Sequence, residues 1–163
     1  VSPQLQAIEH LIDTEHRVLF ADSPSPLKLQ LLCYYVQGYM LAQGVDLFPE
    51  DFQAWQAGPV IPELFRQHAN CDEQHGQVAP TTAAAALDDT VVKEVSDIVA
   101  AYGRYTETDL SAMTHRENPW IDARAGLPED EGSQAVIEKG PLRSYFAYKL
   151  ALIELGPAAS KCR

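Results

Sequence analysis

The chain has 163 residues, 46% of them apolar, and a formal charge of −11 at pH 7. That size supports one domain with a sizeable core rather than two, and that composition excludes wholesale disorder. The acidic balance repels phosphate backbones, so no direct nucleic-acid partner is expected; it serves solubility or a surface that meets a basic partner, and nothing in the residues locates such a surface.

Leu5, Ile8, Leu11, Ile12, Val18 and Leu19 recur near helical spacing and predict an amphipathic helix over roughly residues 3 to 19. Ser2 suits its N-cap and Pro3 its first position. Asp22 to Pro26 predicts a turn, from which Ser25 caps and Pro26 opens a second helix ending near Gly44. This helix is apolar around most of its circumference. Leu29, Leu32, Cys33, Val36 and Met40 form one stripe, with Leu31, Tyr35 and Tyr39 beside it, so several neighbours should cover it. Gly38, inside it, costs about 1 kcal/mol of propensity and is expected to allow close packing.

Phe52 to Trp55 alternates as a short strand would, Ala57-Gly58-Pro59 reads as a turn, and Pro62 starts a short helix through about Gln67. From Asn70 to Asp89 the residues lack periodicity and predict a long loop, with one helical turn at most over Ala83 to Ala86. Val91, Val92, Val95, Ile98, Val99 and Tyr102 then predict a helix over about 88 to 102, closed by Gly103. Thr106 caps the next, with Asp109 at its third position. Asn118 followed by Pro119 repeats the cap-then-proline signal for a further turn or two to Arg124. Glu129-Asp130-Glu131-Gly132 is an acidic loop, and Ala135 to Glu138 a brief extended piece. Pro141 opens the last helix, with Leu142, Tyr145, Phe146, Leu150 and Ile153 facing inward. The expected fold is therefore mostly α: a single compact helical domain over residues 5 to 155, a small β or irregular element near 48 to 60, and a flexible tail over 156 to 163.

Chemical signatures are few. His68, Cys71 and His75 are the only cluster with zinc-ligand residue types, but no second ligand pair accompanies them, so solvated loop residues are the expected answer and no metal is assigned. His115 could serve as a general base with Glu117 or Asp122 orienting it, and Arg116 or Arg124 could hold an anion. The structural alternative, which is favoured, has His115 and Arg124 satisfying buried carbonyls and carboxylates beside Trp120. Dinucleotide, Walker-type, zinc-protease and nucleophile-elbow motifs do not occur, and no cofactor is expected. Three widely spaced cysteines, Cys33, Cys71 and Cys162, do not suggest a disulfide framework. No apolar run reaches the eighteen or so residues of a membrane span, and the N-terminus lacks a signal peptide's basic start. A reducing, bacterial-type cytoplasm is the expected setting. Tyr35 and Trp120 are expected in the core, whereas Trp55, beside Gly58 and Pro59, suits a rim position that meets a protein partner.

Two blocks of residues carry a resemblance. Lys28-Leu29-Gln30 through Tyr34-Tyr35-Val36-Gln37-Gly38-Tyr39, continued by Phe52 to Phe65 (F-x-A-W-x-x-G-P-V-x-P-E-L-F), resembles the opening of the Panacea domain, also called the SocA-like antitoxin domain and, in phage-associated proteins, the GepA-like domain. Leu110 to Arg124 (L-S-x-x-T-H-x-x-x-P-W-x-x-A-R) is similar to that family's second block. The likeness runs from residue 5 to about 150. It departs at Leu31-Leu32-Cys33 and in the 70 to 89 loop. It implies a helical domain without established catalysis that binds and neutralises a cognate toxin protein encoded nearby, in one branch as an adaptor delivering the toxin to an AAA+ protease. Trp55, Gly58, Pro59, Glu63 and Arg116 are the expected partner contacts. Lys28, Tyr35, Gly38, His115, Pro119, Trp120 and Arg124 are motif residues expected to be structural. The rival is an enzyme or effector centred on His115, Glu117 and Arg124. A DNA-binding regulator would need a basic helix face that the sequence lacks.

Overall fold

The computed structural model describes residues 1–70 and 87–161. Within them the order is α1 (Pro3–Phe20), α2 (Pro26–Ala42), β1 (Phe52–Trp55), β2 (Gly58–Val60), α3 (Pro62–Ala69), α4 (Asp89–Tyr102), α5 (Glu107–Thr114), α6 (Asn118–Ala123), β3 (Val136–Ile137) and α7 (Lys139–Lys161). The protein is mostly α, as its periodicities predict, with one small antiparallel sheet in the order β2-β1-β3.

The helix starts follow from their caps. Ser2 Oγ accepts the Leu5 amide at 3.1 Å, and its own amide and hydroxyl donate to the Glu50 carboxylate at 2.6 and 2.9 Å. Ser25 Oγ accepts from Lys28 N at 3.2 Å and donates to Glu107 at the head of α5. Thr106 and Asp109 form the reciprocal capping box that opens α5. In α6 the expectation fails by one residue: Glu117 is the N-cap, without a side-chain cap bond, because its carboxylate is drawn inward. The last helix also begins two residues before Pro141, and its backbone is helical as far as Lys161, past the residue-156 boundary expected from the sequence.

α2 is the axis of the molecule. Every residue from Leu29 to Leu41 is buried, and α1, α3, α4, α5, α7 and β2 all pack on it. Side chains with no polar stripe leave such a helix no face for water. Gly38 is required here: a Cβ at that position would lie 2.3 Å from the Phe146 ring of α7. Phe146 in turn meets Tyr34, Tyr35 and Tyr39 edge-on. Two buried glutamines, a heptad apart on α2, fasten the segments around the sheet. Gln30 holds both the Ile61 amide and carbonyl, and Gln37 holds Leu47 N, Phe48 O and Asp46.

Three expectations of inward-facing residues do not hold. Val18 and Leu19 are 75% and 46% exposed, because Phe20 fills the inward position of the last turn of α1, against His16 and into the space left by Gly103. Ile153 is 54% exposed; residues 151–154 are all exposed, so α7 has left the core by that point.

Candidate functional site

The two motif blocks meet at the β1–β2 hairpin. Its turn is Gln56-Ala57, and β1 pairs with β2 in the register Gln53 to Val60, Ala54 to Pro59 and Trp55 to Gly58. Gly58 has φ 135°, and a Cβ there would lie 2.9 Å from Leu31 and 3.0 Å from the Thr114 hydroxyl. Both the backbone and the space therefore demand glycine.

Four successive carbonyls of this hairpin each accept a bond from the second block. Arg124 Nη1 donates to Ala54 O at 3.0 Å, Trp120 Nε1 to Trp55 O at 2.8 Å, His115 Nε2 to Gln56 O at 2.8 Å, and Ser111 Oγ to Ala57 O at 2.6 Å. Arg124 also reaches the carbonyls of Pro128 and Glu131, which pins the acidic loop. The donors are ordered among themselves. The His115 ring stacks on Trp120 at 4.2 Å, and the Arg124 guanidinium lies 4.4 Å from the same indole. Unpaired carbonyls next to buried strands are costly, so this clamp gives the imidazole, indole and guanidinium at these spacings a structural task.

Glu117 belongs to a different centre. Its carboxylate, 5% exposed as a residue, accepts the Tyr35 hydroxyl at 3.2 Å and Lys149 Nζ at 3.1 Å. The Lys149 ammonium lies between 5.3 and 6.0 Å from the rings of Tyr35, Tyr39, Tyr102, Tyr145 and Phe146. Tyr35 and Tyr102 stack at 4.1 Å, and the Tyr39 and Tyr102 hydroxyls bond at 2.6 Å. Burial, followed by the charge of Glu117, holds the Tyr35 hydroxyl far above its usual range. Burial, the largest single effect, opposes the charge on Lys149, but the charge and hydrogen bond of Glu117 together with the hydroxyls of Tyr39 and Tyr145 raise the ammonium above its usual value.

His115, Glu117 and Arg124 therefore do not converge. His115 and Arg124 serve the hairpin, while Glu117 serves the tyrosine cluster between α2, α4 and α7. The sequence reading missed Lys149 and the two α2 glutamines. Their signals were present: Gln30 and Gln37 are polar residues a heptad apart in the mostly apolar run Leu29 to Leu41, and Lys149 sits three and four residues after Phe146 and Tyr145.

The remaining motif residues hold the frame. Lys28 Nζ donates to the Gly103 carbonyl at 2.6 Å, and burial, against the pull of Asp22, lowers its pKa. Tyr35, Pro119 and Trp120 are buried. Of the expected partner contacts, Gly58 and Pro59 are buried and offer no side chain to a partner, because the strand they form packs on α2 and α5. Glu63 and Arg116 are exposed and Trp55 is half-buried. Trp55 makes an edge contact at 5.0 Å with Phe65 of α3, which is 49% exposed. On one side of the pinned loop an open cleft of about 570 Å³ is lined by Trp55, Gly132, Ser133 and Gln134. On the other, one of about 500 Å³ is lined by Gln56, Ala57, His115, Glu129 and Asp130.

No group of three potential metal ligands occurs among the described residues. His68 lies 2.6 Å from Glu9, tying α3 to α1, and Cys71 and His75 are outside the described residues. No helix among the described residues is long and apolar enough to cross a membrane.

The family model of the antitoxin SocA-like Panacea domain matches residues 29–121. The chain belongs to the Panacea family. The matched span starts in α2 and ends in α6, so it holds the axial helix, the hairpin and most of its clamp. Neither a curated protein nor a solved structure matches the chain. Arg124 and all of α7 lie beyond the Panacea match, although Arg124 completes the clamp and Lys149 completes the Glu117 centre.

Proposed function

We propose that this Panacea protein is the antitoxin of a toxin–antitoxin pair and neutralises a cognate toxin protein, encoded nearby, by direct contact. The observation that carries the reading is membership of the SocA-like antitoxin family over residues 29–121, which takes in nearly all of both motif blocks. The geometry supports it in one respect. His115, Trp120 and Arg124, the residue types that looked most like chemistry, are engaged with the protein's own carbonyls. What the hairpin end offers outward is Trp55, Phe65, Glu63, Arg116 and two open clefts. A stable one-to-one complex needs about 800 Å² from each partner and no catalytic group.

Co-expression with the adjacent open reading frame is the test. Rescue of growth together with a purified complex of the two proteins supports the reading. Rescue that disappears in a host lacking its AAA+ proteases assigns the adaptor route instead of neutralisation by contact. Absence of both rescue and complex removes the antitoxin reading.

A further inference from the structure

The outer face of the three-stranded sheet joins exposed apolar side chains to a pair of carboxylates. In the β1–β3 ladder Phe52 pairs with Ile137 and Gln53 with Val136. Side chains alternate across a strand, so Phe52, Ala54 and Ile137 point into the core, and all three are at most 2% exposed. Gln53, Trp55 and Val136 take the opposite face, where Val136 is 48% exposed. Trp55 extends that face to Phe65, which makes a solvent-facing apolar strip of Val136, Trp55 and Phe65.

One step past the Phe52–Ile137 pair, the same alternation places Asp51 and Glu138 side by side at the end of this strip, both exposed. Like charges directly across an antiparallel pair repel each other. No ion pair joins either carboxylate to a cation among the described residues. Lys139, next in the chain, is committed to Asp46 and to the Phe48 and Pro49 carbonyls. At the far end Glu63 and Arg66 flank Phe65 and offset each other, and the exposed Glu129 and Asp130 line the cleft on the other side of the pinned loop. The face thus carries Val136, Trp55 and Phe65 beside the polar Gln53 and is acidic at its Asp51–Glu138 end, in a chain of net charge −11.

We infer that this face binds an extended, Lys- or Arg-bearing segment of the partner protein. Its apolar side chains lie on Val136, Trp55 and Phe65, and its cations reach Asp51 and Glu138. The inference deepens the antitoxin reading by giving the toxin's contacting segment a chemistry. It relies on two ordinary effects: an aromatic anchor that removes water from its pocket, and complementary border charge that steers the encounter.

The probe is a soluble ten-residue peptide of alternating Leu and Arg, with an alternating Leu–Glu peptide as control, titrated into the ¹⁵N-labelled full chain. The two indole N–H signals report separately, because Trp120 is buried and bonded to the Trp55 carbonyl. The Leu–Arg peptide should move the Trp55 signal in a saturable way and leave Trp120 in place, and the Leu–Glu peptide should move neither. In Asp51→Lys/Glu138→Lys the response should vanish, and in the milder Asp51→Asn/Glu138→Gln it should weaken, with thermal unfolding unchanged in both. An unmoved Trp55, an equal response to both peptides, or a response indifferent to the substitutions overturns the inference. With the cognate toxin, the double lysine variant should associate about tenfold more slowly at low salt. A toxin complex that forms at the wild-type rate in that variant removes the inference and leaves the antitoxin reading standing. No complex in wild type removes that reading, and the peptide titration still decides this one.

Discussion

Trp120 is 2% exposed and donates its indole N–H to the Trp55 carbonyl, while Trp55 itself is half-buried with its own N–H turned along the strand to Gln53. The two indoles thus meet through one backbone group and face opposite surroundings. Around Trp120 the His115 imidazole, one arm of the Arg124 guanidinium and the Ser111 hydroxyl are spent on hairpin carbonyls. Around Trp55 the side chains are spent on little, and the surface is open. The comparison teaches that the polar residues of a motif can be spent on its own frame, while an apolar residue of the same motif stays at the surface.

The sharpest way to break this contrast is Trp120→Ala. Removing a buried indole costs about 3–5 kcal/mol, and it also strips the Trp55 carbonyl of its donor and His115 and Arg124 of their platform. Chemical denaturation should show the loss; wild-type stability in that variant would mean Trp120 is not core.

Next in size is Lys149→Met, which leaves Glu117 charged without its cation. A fully buried broken pair costs about 3–5 kcal/mol, and the partial exposure of Lys149 brings the expectation to about 2–3 kcal/mol. Lys149→Met/Glu117→Gln should recover part of it, because the uncompensated charge is gone. The same centre has a pH signature. Tyrosine ionises near pH 10 in an unfolded chain, but burial first, with the charge of Glu117 adding to it, pushes Tyr102 and Tyr145 up to about 12. Between those values the unfolded chain holds fewer protons than the folded one, so stability falls as pH rises. Lys149 acts in the same direction: its raised pKa keeps the full contribution of the pair below the ordinary value of 10.5, and that contribution is lost as pH climbs through the folded value. Denaturation midpoints across pH 9 to 12, followed with tyrosinate absorbance, check both; flat stability over that window would contradict the buried placement.

Gly38→Ala should cost about 1–3 kcal/mol in spite of the better helix propensity of alanine, because its methyl group meets the Phe146 ring at 2.3 Å. The smallest stability effect belongs to the open side. Trp55→Ser and Phe65→Ser should each shift stability by about 1 kcal/mol or less, yet either should abolish growth rescue by a folded protein. A folded Trp55→Ser variant that still rescues would end the contrast between the two tryptophans.

The helices were legible because their caps and periods are local. Ser2-Pro3, Ser25-Pro26 and Thr106 with Asp109 announce their starts within four residues, and the uninterrupted apolar character of α2 announces its central place. The strand Phe52–Trp55 was legible from alternation alone. Val18, Leu19 and Ile153 were misread because a period shows which side of a helix is apolar but not where its neighbours stop. Glu117 was grouped with His115 because they are two residues apart, yet the chain turns between α5 and α6 and sends them to different centres.

The sequence by itself determined the family, the helical class and most of the element starts, the last two because caps and periods rest on residues a few positions apart. Only the tertiary structure decided that the second block clamps four hairpin carbonyls, that Lys149 is the partner of Glu117, and which face of the sheet stays in solvent. Those are matters of long-range pairing, with partners 32 to 70 positions away, and no local pattern encodes which distant backbone groups a side chain will satisfy.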